Sequence, residues 1–126
     1  KLTGGVNIDS LYGSAGNDKL SGGAGIDLLQ GGIGSDLMTG GADRDYFLYA
    51  ETAASGGWGA DIVTDWQDGL DVLKFATGVA DSIADFAITG NGTDTVRIAL
   101  RALPAATITL EAAAPFTITA ADFLFY

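Results

Sequence analysis

Residues 22–39 read GGAGIDLLQ GGIGSDLMT, two consecutive nonapeptides with the same pattern of glycines, one aspartate and one large apolar residue. Aligning the chain on that aspartate gives five consecutive copies over residues 4–48, with glycine at position 1 and aspartate at position 6 of every copy. Position 8 is always large and apolar: it is Leu11, Leu20, Leu29, Met38 and Phe47. The period therefore predicts a repeat architecture, in which each unit buries its apolar residue by stacking on its neighbours.

The spacing within one copy predicts a flattened coil. Positions 7 to 9 alternate outward, inward and outward, as a short strand with one buried side chain does. Positions 1 to 6 are predicted to form a glycine-rich turn, so two copies make one full turn, and successive turns stack as parallel strands about 4.8 Å apart. Odd and even copies then face each other across a thin core. The odd row is Leu11, Leu29 and Phe47, and the even row is Leu2, Leu20 and Met38.

The same stacking aligns the loops of copies one and three, two and four, and three and five. Each aligned pair presents two aspartates together with backbone carbonyls, which glycine leaves free to turn inward. About six hard oxygen donors on flexible loops suit Ca²⁺, whereas Mg²⁺ takes a tighter octahedron and zinc prefers nitrogen or sulfur. The sequence predicts three complete calcium sites, which would change the formal net charge from −10 to −4.

Three positions depart from the glycine pattern. Position 2 is Ser14 in the second copy, and position 4 is Asn7 in the first copy and Asp43 in the fifth. Asn and Asp tolerate left-handed backbone better than other non-glycine residues. These positions are therefore expected to keep unusual φ angles.

The composition narrows the class of function. Acidic residues outnumber basic ones 16 to 6, and a surface of that charge repels nucleic acids and anionic membranes. The chain has no Cys and no His, which removes disulfides, thiolates and the commonest general base. No apolar run reaches membrane-spanning length, no signal peptide is visible, and the H-E-x-x-H motif is missing. The chain is predicted not to be an enzyme itself, although its parent protein could be one.

Beyond residue 48 the repeat ends and different patterns begin. The segments DIVTDW (61–66) and DVLKF (71–75) flank the turn QDGL (67–70), which predicts a β-hairpin. At the other end of the chain, KLT (1–3) matches positions 7 to 9 of a preceding copy. We therefore expect a fragment of a longer protein whose amino-terminal part is a partner of this module.

Further antiparallel patterns follow. DFAIT (85–89) and TVRIAL (95–100) flank a loop with Asn91-Gly92, a strong hairpin turn, and ATITL and FTIT alternate after them. TAAD (119–122) has the spacing of a capping box and predicts one last helical turn. Because the open end of a stacked coil invites aggregation, residues 49–126 are expected to form a cap.

The motif G-G-x-G-x-D-x-U-x resembles the calcium-binding nonapeptide repeat of RTX (repeats-in-toxin) proteins. The resemblance implies an all-β fold, with a right-handed parallel β-roll over residues 1–48 and a small antiparallel β cap with a short C-terminal helical turn over 49–126. It also implies one Ca²⁺ between turn n and turn n+2. The side-chain ligands would be Asp9, Asp18, Asp27, Asp36 and Asp45. The loop carbonyls would be those of Gly4, Gly13, Gly22, Gly25, Gly31, Gly34 and Gly40 and their neighbours.

Residues 45–75 resemble the segment after the β-roll in serralysin-like metalloproteases and in the R-modules of mannuronan epimerases. There an aspartate of a D-x-(apolar)-x-D-(aromatic) segment can complete the last calcium site. Asp61 and Asp65 match that segment, and Asp61 is the better candidate because copy four lacks a same-side partner loop.

The end of the chain resembles the uncleaved C-terminal signal of RTX proteins that are exported by type I secretion. The segment is Asp122, Phe123, Leu124, Phe125 and Tyr126. The same aromatic residues could equally be the final core strand of the cap, and both interpretations can hold together.

These observations predict a non-catalytic, calcium-binding C-terminal module of a secreted bacterial protein, which folds when it meets extracellular Ca²⁺ at about 10⁻⁴ to 10⁻³ M. One alternative is an R-module that binds an acidic, alginate-like polysaccharide. It could use Arg44, Arg97 and Arg101, with Trp58 and Trp66 as stacking platforms, although such aromatics are more often core. The other alternative is an adhesin or surface-layer module whose assembly is driven by calcium.

Overall fold

The computed structural model describes residues 1–126, except for the side chain of residue 53, and its regular secondary structure is almost entirely β-strand. The strands are β1 (Leu2–Gly5), β2 (Ser10–Ala15), β3 (Lys19–Ala24), β4 (Leu28–Ile33), β5 (Leu37–Ala42), β6 (Tyr46–Tyr49), β7 (Ala60–Val63), β8 (Val72–Phe75), β9 (Phe86–Thr89), β10 (Thr93–Leu100), β11 (Leu103–Phe116) and β12 (Phe123–Phe125). Short 3₁₀ turns cover Ala53–Ser55, Ile83–Asp85 and Ala120–Asp122. No helix in the described part of the chain is long and apolar enough to cross a membrane.

Two sheets face each other. One has 7 strands in the order β1-β3-β5-β7-β11-β10-β9, and the other has 5 in the order β12-β8-β6-β4-β2. Through the repeats every pairing is parallel with a register of eighteen residues, as in Leu11↔Leu29 and Leu20↔Met38. The predicted coil of two nonapeptides per turn, with odd and even copies on opposite sheets, is therefore confirmed.

The strands are longer than the nonapeptide pattern predicts. β3 and β5 each run from position 7 of one copy to position 3 of the next, so the turn occupies positions 4 to 6 only. The prediction that positions 1 to 6 form the turn is wrong, because positions 2 and 3 pair with the neighbouring coil, as in Gly23↔Gly41 and Ala24↔Ala42. Ser14 (φ 83°) and Asp43 (φ 79°) adopt positive φ as predicted, whereas Asn7 does not.

The parallel coil continues beyond the glycine repeats. β7 pairs in parallel with β5, and β8 pairs in parallel with β6. The predicted hairpin of residues 61–75 is therefore wrong: its two strands lie in opposite sheets, and the turn between them is another loop of the coil. The physical reason is that Asp61-Ile62-Val63 and Asp71-Val72-Leu73 repeat positions 6 to 8 of the motif. Gly56, Gly57 and Gly59 stand at positions 1, 2 and 4 before the first of them, so residues 56–64 are a further copy that seven residues separate from the fifth.

The remaining strands close the coil. β9, β10 and β11 are antiparallel, with Ile98 paired to both Ile88 and Ile108, and β11 continues the 7-stranded sheet by pairing in parallel with β7. The predicted hairpin around Asn91-Gly92 is confirmed. The helical turn at 120–122 is confirmed as well, and Thr119 and Asp122 form its capping box.

The core changes in character along the chain. In the repeats it is one row of single side chains from each sheet, such as Leu20 and Leu29, both fully buried. Further along it is an aromatic cluster, in which Phe75 stacks on Tyr49 at 5.3 Å and on Phe123 at 5.9 Å between ring centroids. The carboxy-terminal part therefore buries far more apolar surface per residue than the repeats do.

The position-2 glycines give a test of this packing. Gly32 has φ 102°, and a side chain there would run into the backbone carbonyl of Ser14, whereas Gly5 lacks a positive φ and has open space around it. We predict that Gly32→Ala lowers the free energy of unfolding by about 1–3 kcal/mol from backbone strain, with the clash adding to this loss. Gly5→Ala, the matched control, should change it by less than about 0.5 kcal/mol. Urea denaturation in excess calcium measures both, and equal effects would contradict the assigned register.

Candidate metal centre

The position-6 aspartates are linked along each edge of the roll by hydrogen bonds. The backbone N–H of each donates to the Oδ1 of the aspartate one full turn later. The bonds run from Asp9 to Asp27 (2.8 Å), Asp18 to Asp36 (2.7 Å), Asp27 to Asp45 (2.9 Å), Asp36 to Asp61 (2.9 Å) and Asp45 to Asp71 (3.0 Å). We call each linked pair a rung. The odd ladder has three rungs from Asp9 to Asp71, and the even ladder has two from Asp18 to Asp61.

The second carboxylate oxygen of these aspartates is left without a donor. The Oδ2 atoms of Asp27, Asp36, Asp45 and Asp61 are buried and accept no hydrogen bond. An unpaired carboxylate oxygen away from water is strongly unfavourable, so buried charges are normally paired or bind a metal. The ladders therefore hold acceptor oxygens that only a proton or a cation can satisfy.

Each position-1 glycine faces a space between these oxygens. A Cβ placed on Gly4 would lie 2.6 Å from Oδ2 of Asp9 and 2.5 Å from the carbonyl oxygen of Gly22. A Cβ on Gly22 would likewise meet Oδ2 of Asp27 and lie 2.6 Å from the carbonyl oxygen of Gly40. Any side chain would fill this space, so glycine at position 1 keeps an oxygen-lined cradle open in each rung.

Position-4 residues bring further carbonyls close to the next loop. A Cβ on Gly25 would lie 2.7 Å from the carbonyl oxygen of Asn7, and one on Gly34 would contact that of Gly16. Each rung thus offers two carboxylates and several carbonyl oxygens on loops that are free of histidine and cysteine. This all-oxygen donor set fits Ca²⁺ and does not fit zinc.

The rungs contain two carboxylates rather than three. Among the described residues, no group of three or more Asp or Glu gathers in a single metal-binding cluster. Carbonyl oxygens must therefore supply the remaining donors, as the glycine-rich loops allow.

Burial dominates the electrostatics of the ladders. It raises the pKa of Asp45 to about 7, with the carboxylates of Asp71, Asp27 and Asp65 adding to the rise. It raises the pKa of Asp61 to about 8, where Asp36 and Glu51 contribute, and that of Asp71 to about 6. Hydrogen bonds from backbone N–H groups oppose each shift.

The structure separates the two candidate aspartates of the DIVTDW segment. Asp61 stands in the even ladder as the partner of Asp36. Both oxygens of Asp65 instead accept backbone N–H groups, from Gly40 at 2.9 Å and Gly41 at 2.8 Å. Asp65 therefore lies outside the ladders and holds the loop of the fifth copy.

Sequence reasoning missed Asp71, which ends the odd ladder. Its Oδ1 accepts from Asp45 and its Oδ2 accepts from the backbone N–H of Gln67 at 2.9 Å. The signal was present as the D-x-U pattern of residues 71–73, which follows the same pattern at 61–63. It was overlooked because the glycines that mark the earlier loops are missing.

Both ladders end where position 1 is no longer glycine. When the pairing of β4 with β6 is extended by two residues, Tyr49 lies beside Gly31. The hydroxyl of Tyr49 is buried and has no hydrogen-bond partner. In continuation of the β5–β7 register, Asp65 takes the place next to Gly40. A side chain at this position occupies the direction that the glycines keep open, which explains why no further cradle follows.

Comparison with known proteins identifies the repeats. Residues 1–29 and 12–47 match the family described as the RTX calcium-binding nonapeptide repeat (4 copies). Residues 1–47 therefore consist of RTX calcium-binding repeats. No curated protein matches the chain in sequence.

Solved structures show the fold of the whole chain. The AlgE6R2 subunit of the Azotobacter vinelandii mannuronan C5-epimerase has a TM-score of 0.58 to this chain at 23% identity, covering 98% of this chain and 91% of that one. The AlgE6R3 subunit of the same enzyme has a TM-score of 0.33 at 21% identity, covering 94% of this chain and 78% of that one. The first likeness shows that the chain has the parallel β-roll fold of that subunit. Together the repeats and the fold define a calcium-binding repeat module.

The raised pKa values predict how the metal-free chain responds to pH. Asp45, Asp61 and Asp71 bind protons more tightly when folded (pKa about 7, 8 and 6) than in the unfolded chain, where the ordinary value is 3.8. Their contribution to stability is therefore present below about pH 4 and is lost as pH rises towards 8. In chelator, folded content measured by circular dichroism should fall between pH 5 and pH 8.

Two variants test the origin of that pH dependence. Asp61→Asn should flatten the upper part of the pH profile, because it removes the group that titrates highest. Asp68→Asn, at an exposed turn, should leave the profile unchanged. A metal-free chain that gains structure with rising pH would show the opposite sign and contradict the burial of unpaired carboxylates.

Proposed function

We propose that the chain is a calcium-triggered folding module, in which Ca²⁺ bound along the two ladders supplies the stability that the repeats lack. The observation that carries the proposal is the set of four buried Oδ2 atoms without a donor, three of which, on Asp27, Asp36 and Asp45, lie against a position-1 glycine. The position-6 aspartates, Asp61 and Asp71 would be the side-chain ligands. The carbonyls of the position-1 and position-4 residues would complete each site.

The number of rungs sets the number of ions. Three rungs lie within the five glycine repeats, as the sequence predicts, and Asp61 and Asp71 extend the ladders to five. Five divalent ions would bring the formal net charge from −10 to 0. The two ladders contain seven aspartates, because Asp27, Asp36 and Asp45 each belong to two rungs. Five ions would therefore more than neutralise the ladder carboxylates, and loop carbonyls would supply the remaining donors.

Without metal, the residues of the repeats work against folding. Each rung holds two carboxylates close together, and both are buried in three of the five rungs, while Asp9 and Asp18 are half-buried. Glycine is also costly to order. The core of the repeats buries only one side chain per half-turn, which is too little to offset these two costs. Binding that requires the folded loops adds directly to folding stability, so the roll is expected to form only when the metal is present.

Calcium-triggered folding would suit a secreted protein. Cytoplasmic calcium is low, and extracellular calcium modules bind at about 10⁻⁴ to 10⁻³ M, so the module would stay unfolded until export. We assign the segment 122–126 to a type I secretion signal as part of this proposal. In the folded chain the segment forms β12, with Phe123 buried against Phe75, so it would be accessible to an export apparatus only before folding.

We assign no catalysis to the module. A cavity of about 290 Å³ in the cap is lined by Asp81, Asp85 and Arg101 among others. Hydrogen bonds from the backbone N–H groups of Asp81 and Ser82 lower the pKa of Asp85. An exposed carboxylate with a lowered pKa is a poor general acid or base near neutral pH.

Calcium titration tests the proposal. In chelator at pH 7.5 the far-ultraviolet circular dichroism should show little strand content, and millimolar calcium should restore it. Asp27→Asn, which alters two rungs at once, should raise the calcium midpoint by about tenfold or more, equivalent to about 1.4 kcal/mol. Asp68→Asn removes the same charge from an exposed turn and should leave the midpoint within about twofold.

Isothermal titration calorimetry measures the number of ions. We expect five in the unmodified chain and four in Asp71→Asn, because Asp71 serves only the last rung of the odd ladder. Equal strand content in chelator and in calcium would overturn the folding switch. An unchanged count in Asp71→Asn would remove Asp71 from the ligands.

A second candidate is the binding of an acidic polysaccharide, which the likeness in fold to an epimerase R-module subunit favours. Trp58 and Trp66 cannot stack on sugar rings, because they are 0% and 2% exposed. The residues that could contact an acidic polysaccharide are then the exposed Arg44, Arg97 and Arg101. Affinity electrophoresis in alginate at low salt should then show a calcium-dependent retardation that salt abolishes, and equal mobility with and without alginate would exclude this candidate.

A further inference from the structure

One exposed turn of the cap carries a chemically labile pair of residues. The chain has three asparagines, and only Asn91 is followed by glycine. The pair lies between β9 and β10, where the backbone N–H of Thr93 donates to the carbonyl oxygen of Gly90 at 3.0 Å and closes a four-residue turn. Gly92 has φ 85°, as the third residue of a type II turn requires. Asparagine is a labile residue, most of all before glycine, which has no side chain to hinder attack by its nitrogen.

The reaction open to this pair is an attack of the Gly92 backbone nitrogen on Cγ of Asn91. The new N–Cγ bond closes a cyclic imide, a succinimide, and the side-chain nitrogen leaves as ammonia with the proton that Gly92 loses. Water then opens the ring at either carbonyl carbon. Cleavage of the bond between nitrogen and Cγ gives aspartate. Cleavage at the backbone carbonyl carbon gives isoaspartate, which inserts a methylene group into the main chain.

In the folded chain, hydrogen bonds hold both reacting groups. The N–H of Gly92 donates to the carbonyl oxygen of Phe116 at 2.7 Å, so the nitrogen keeps its proton. The Oδ1 of Asn91 accepts the N–H of Ile118 at 3.0 Å, which fixes the side-chain amide. Ring closure requires the nitrogen to lose its proton and the amide to turn onto it, so both bonds must break first. The partners are themselves fixed, because Phe116 and Ile118 are 5% and 4% exposed.

A second turn of the same kind has no such protection. Asp68 and Gly69 occupy the same two places in a turn that the N–H of Leu70 closes on the carbonyl oxygen of Gln67 at 3.0 Å. Gly69 has φ 74°, and both Asp68 and Gly69 are exposed. Among the described residues, no hydrogen bond involves the Asp68 carboxylate or the Gly69 N–H. The two turns therefore differ in whether the reacting groups are held.

We propose that Asn91 is a self-modifying site, which deamidates while the chain is unfolded and is protected once its turn is bonded to Phe116 and Ile118. The site thereby records how long a chain has stayed unfolded. The link to calcium rests on the proposed function, because there calcium decides when the chain folds. The protection by the two hydrogen bonds does not depend on it.

The modification also changes the fold in one direction only. Asn91 ties its turn to residues 117–119, which lead from β11 to the capped turn before β12. Aspartate keeps an oxygen at the place of Oδ1, so the bond from Ile118 survives. Isoaspartate lengthens the backbone between this bond and the one from Gly92 to Phe116, so the two bonds no longer form together. Their loss lowers the folding equilibrium constant by about tenfold or more.

Ageing the full chain under three conditions tests the protection. Samples are kept in calcium, in chelator and in guanidinium chloride at one pH, and peptide mapping measures the fraction modified at position 91. Circular dichroism reports whether each sample is folded. Modification should be at least about tenfold slower in calcium than in guanidinium, because the turn must open before the ring can close. In chelator the rate should match that in guanidinium, as the proposed function requires.

Asp68→Asn is the matched control, because it places an asparagine before glycine in the turn whose reacting groups are free. In the folded chain, position 68 of this variant should deamidate at nearly the rate seen in guanidinium, while position 91 stays protected. Equal protection of both positions would overturn the assignment to the two hydrogen bonds.

The remaining outcomes separate this proposal from the proposed function. Equal rates at position 91 in calcium and in guanidinium, with the calcium sample folded, overturn the protection. Slow modification in chelator overturns it as well if the chain is unfolded there. If the chain is folded in chelator, the same result overturns calcium-triggered folding and supports the protection.

Unfolding of the aged chain tests the consequence for the fold. Chains with isoaspartate at position 91 are separated by chromatography and denatured with guanidinium in excess calcium. Their folding equilibrium constant should be lower by about tenfold or more than that of the unmodified chain. Asn91→Asp, which adds the same charge with the ordinary backbone, should stay within about twofold. Equal constants for the isoaspartate and unmodified chains would show that the modification leaves the fold unchanged and overturn this step.

Discussion

The roll depends on pairs of carboxylates that it buries and only half satisfies. In each rung one oxygen accepts a backbone N–H from the preceding turn, and that bond fixes the height of successive coils. On four of the aspartates the other oxygen is buried with no donor, and on three of them, Asp27, Asp36 and Asp45, it lies in a space that glycine keeps open. Each ladder aspartate thus fixes the register of the coil through one oxygen, and its other oxygen is an acceptor that a cation can bind. Removing an aspartate alters both, which is why structure and metal binding are inseparable in this part of the chain.

The sequence predicts the repeats well because their signals are local and repeated. One aspartate, one glycine pair and one apolar residue recur at fixed spacing, so the coil register and the two core rows follow from counting. The even-ladder partner Asp61 also follows, because copy four needs a same-side loop. The length of the strands does not follow, because the pairing of positions 2 and 3 with the neighbouring coil is a tertiary effect that the glycine content conceals.

The errors begin where the uninterrupted nine-residue spacing stops. Residues 56–64 (GGWGADIVT) match the whole motif, but residues 49–55 separate them from copy five, and the next D-x-U segment, at 71–73, keeps only the position-4 glycine, Gly69. Read by turn chemistry alone, QDGL predicts a hairpin, whereas the coil register places its flanking strands in opposite sheets. Asp71 was missed for the same reason. The burial of Trp58 and Trp66 could not be predicted either, because it depends on β10 and β11, which close over the coil from a distant part of the chain.

At the ends of the two ladders, the main source of stability would change from bound cations to apolar burial. At the positions that glycine keeps open in the repeats, Tyr49 contributes a ring to the aromatic cluster, and Asp65 holds Gly40 and Gly41 through their N–H groups. From there on, apolar burial increases, and it would take over the stabilising role that the proposal gives to bound calcium in the repeats. The last rungs, at Asp61 and Asp71, combine both sources of stability, because each of these aspartates lies at the start of a strand that packs into the aromatic core. A cation bound there joins loops that the cap already holds in place, whereas one bound at Asp9 must order loops whose only other support is a single row of side chains.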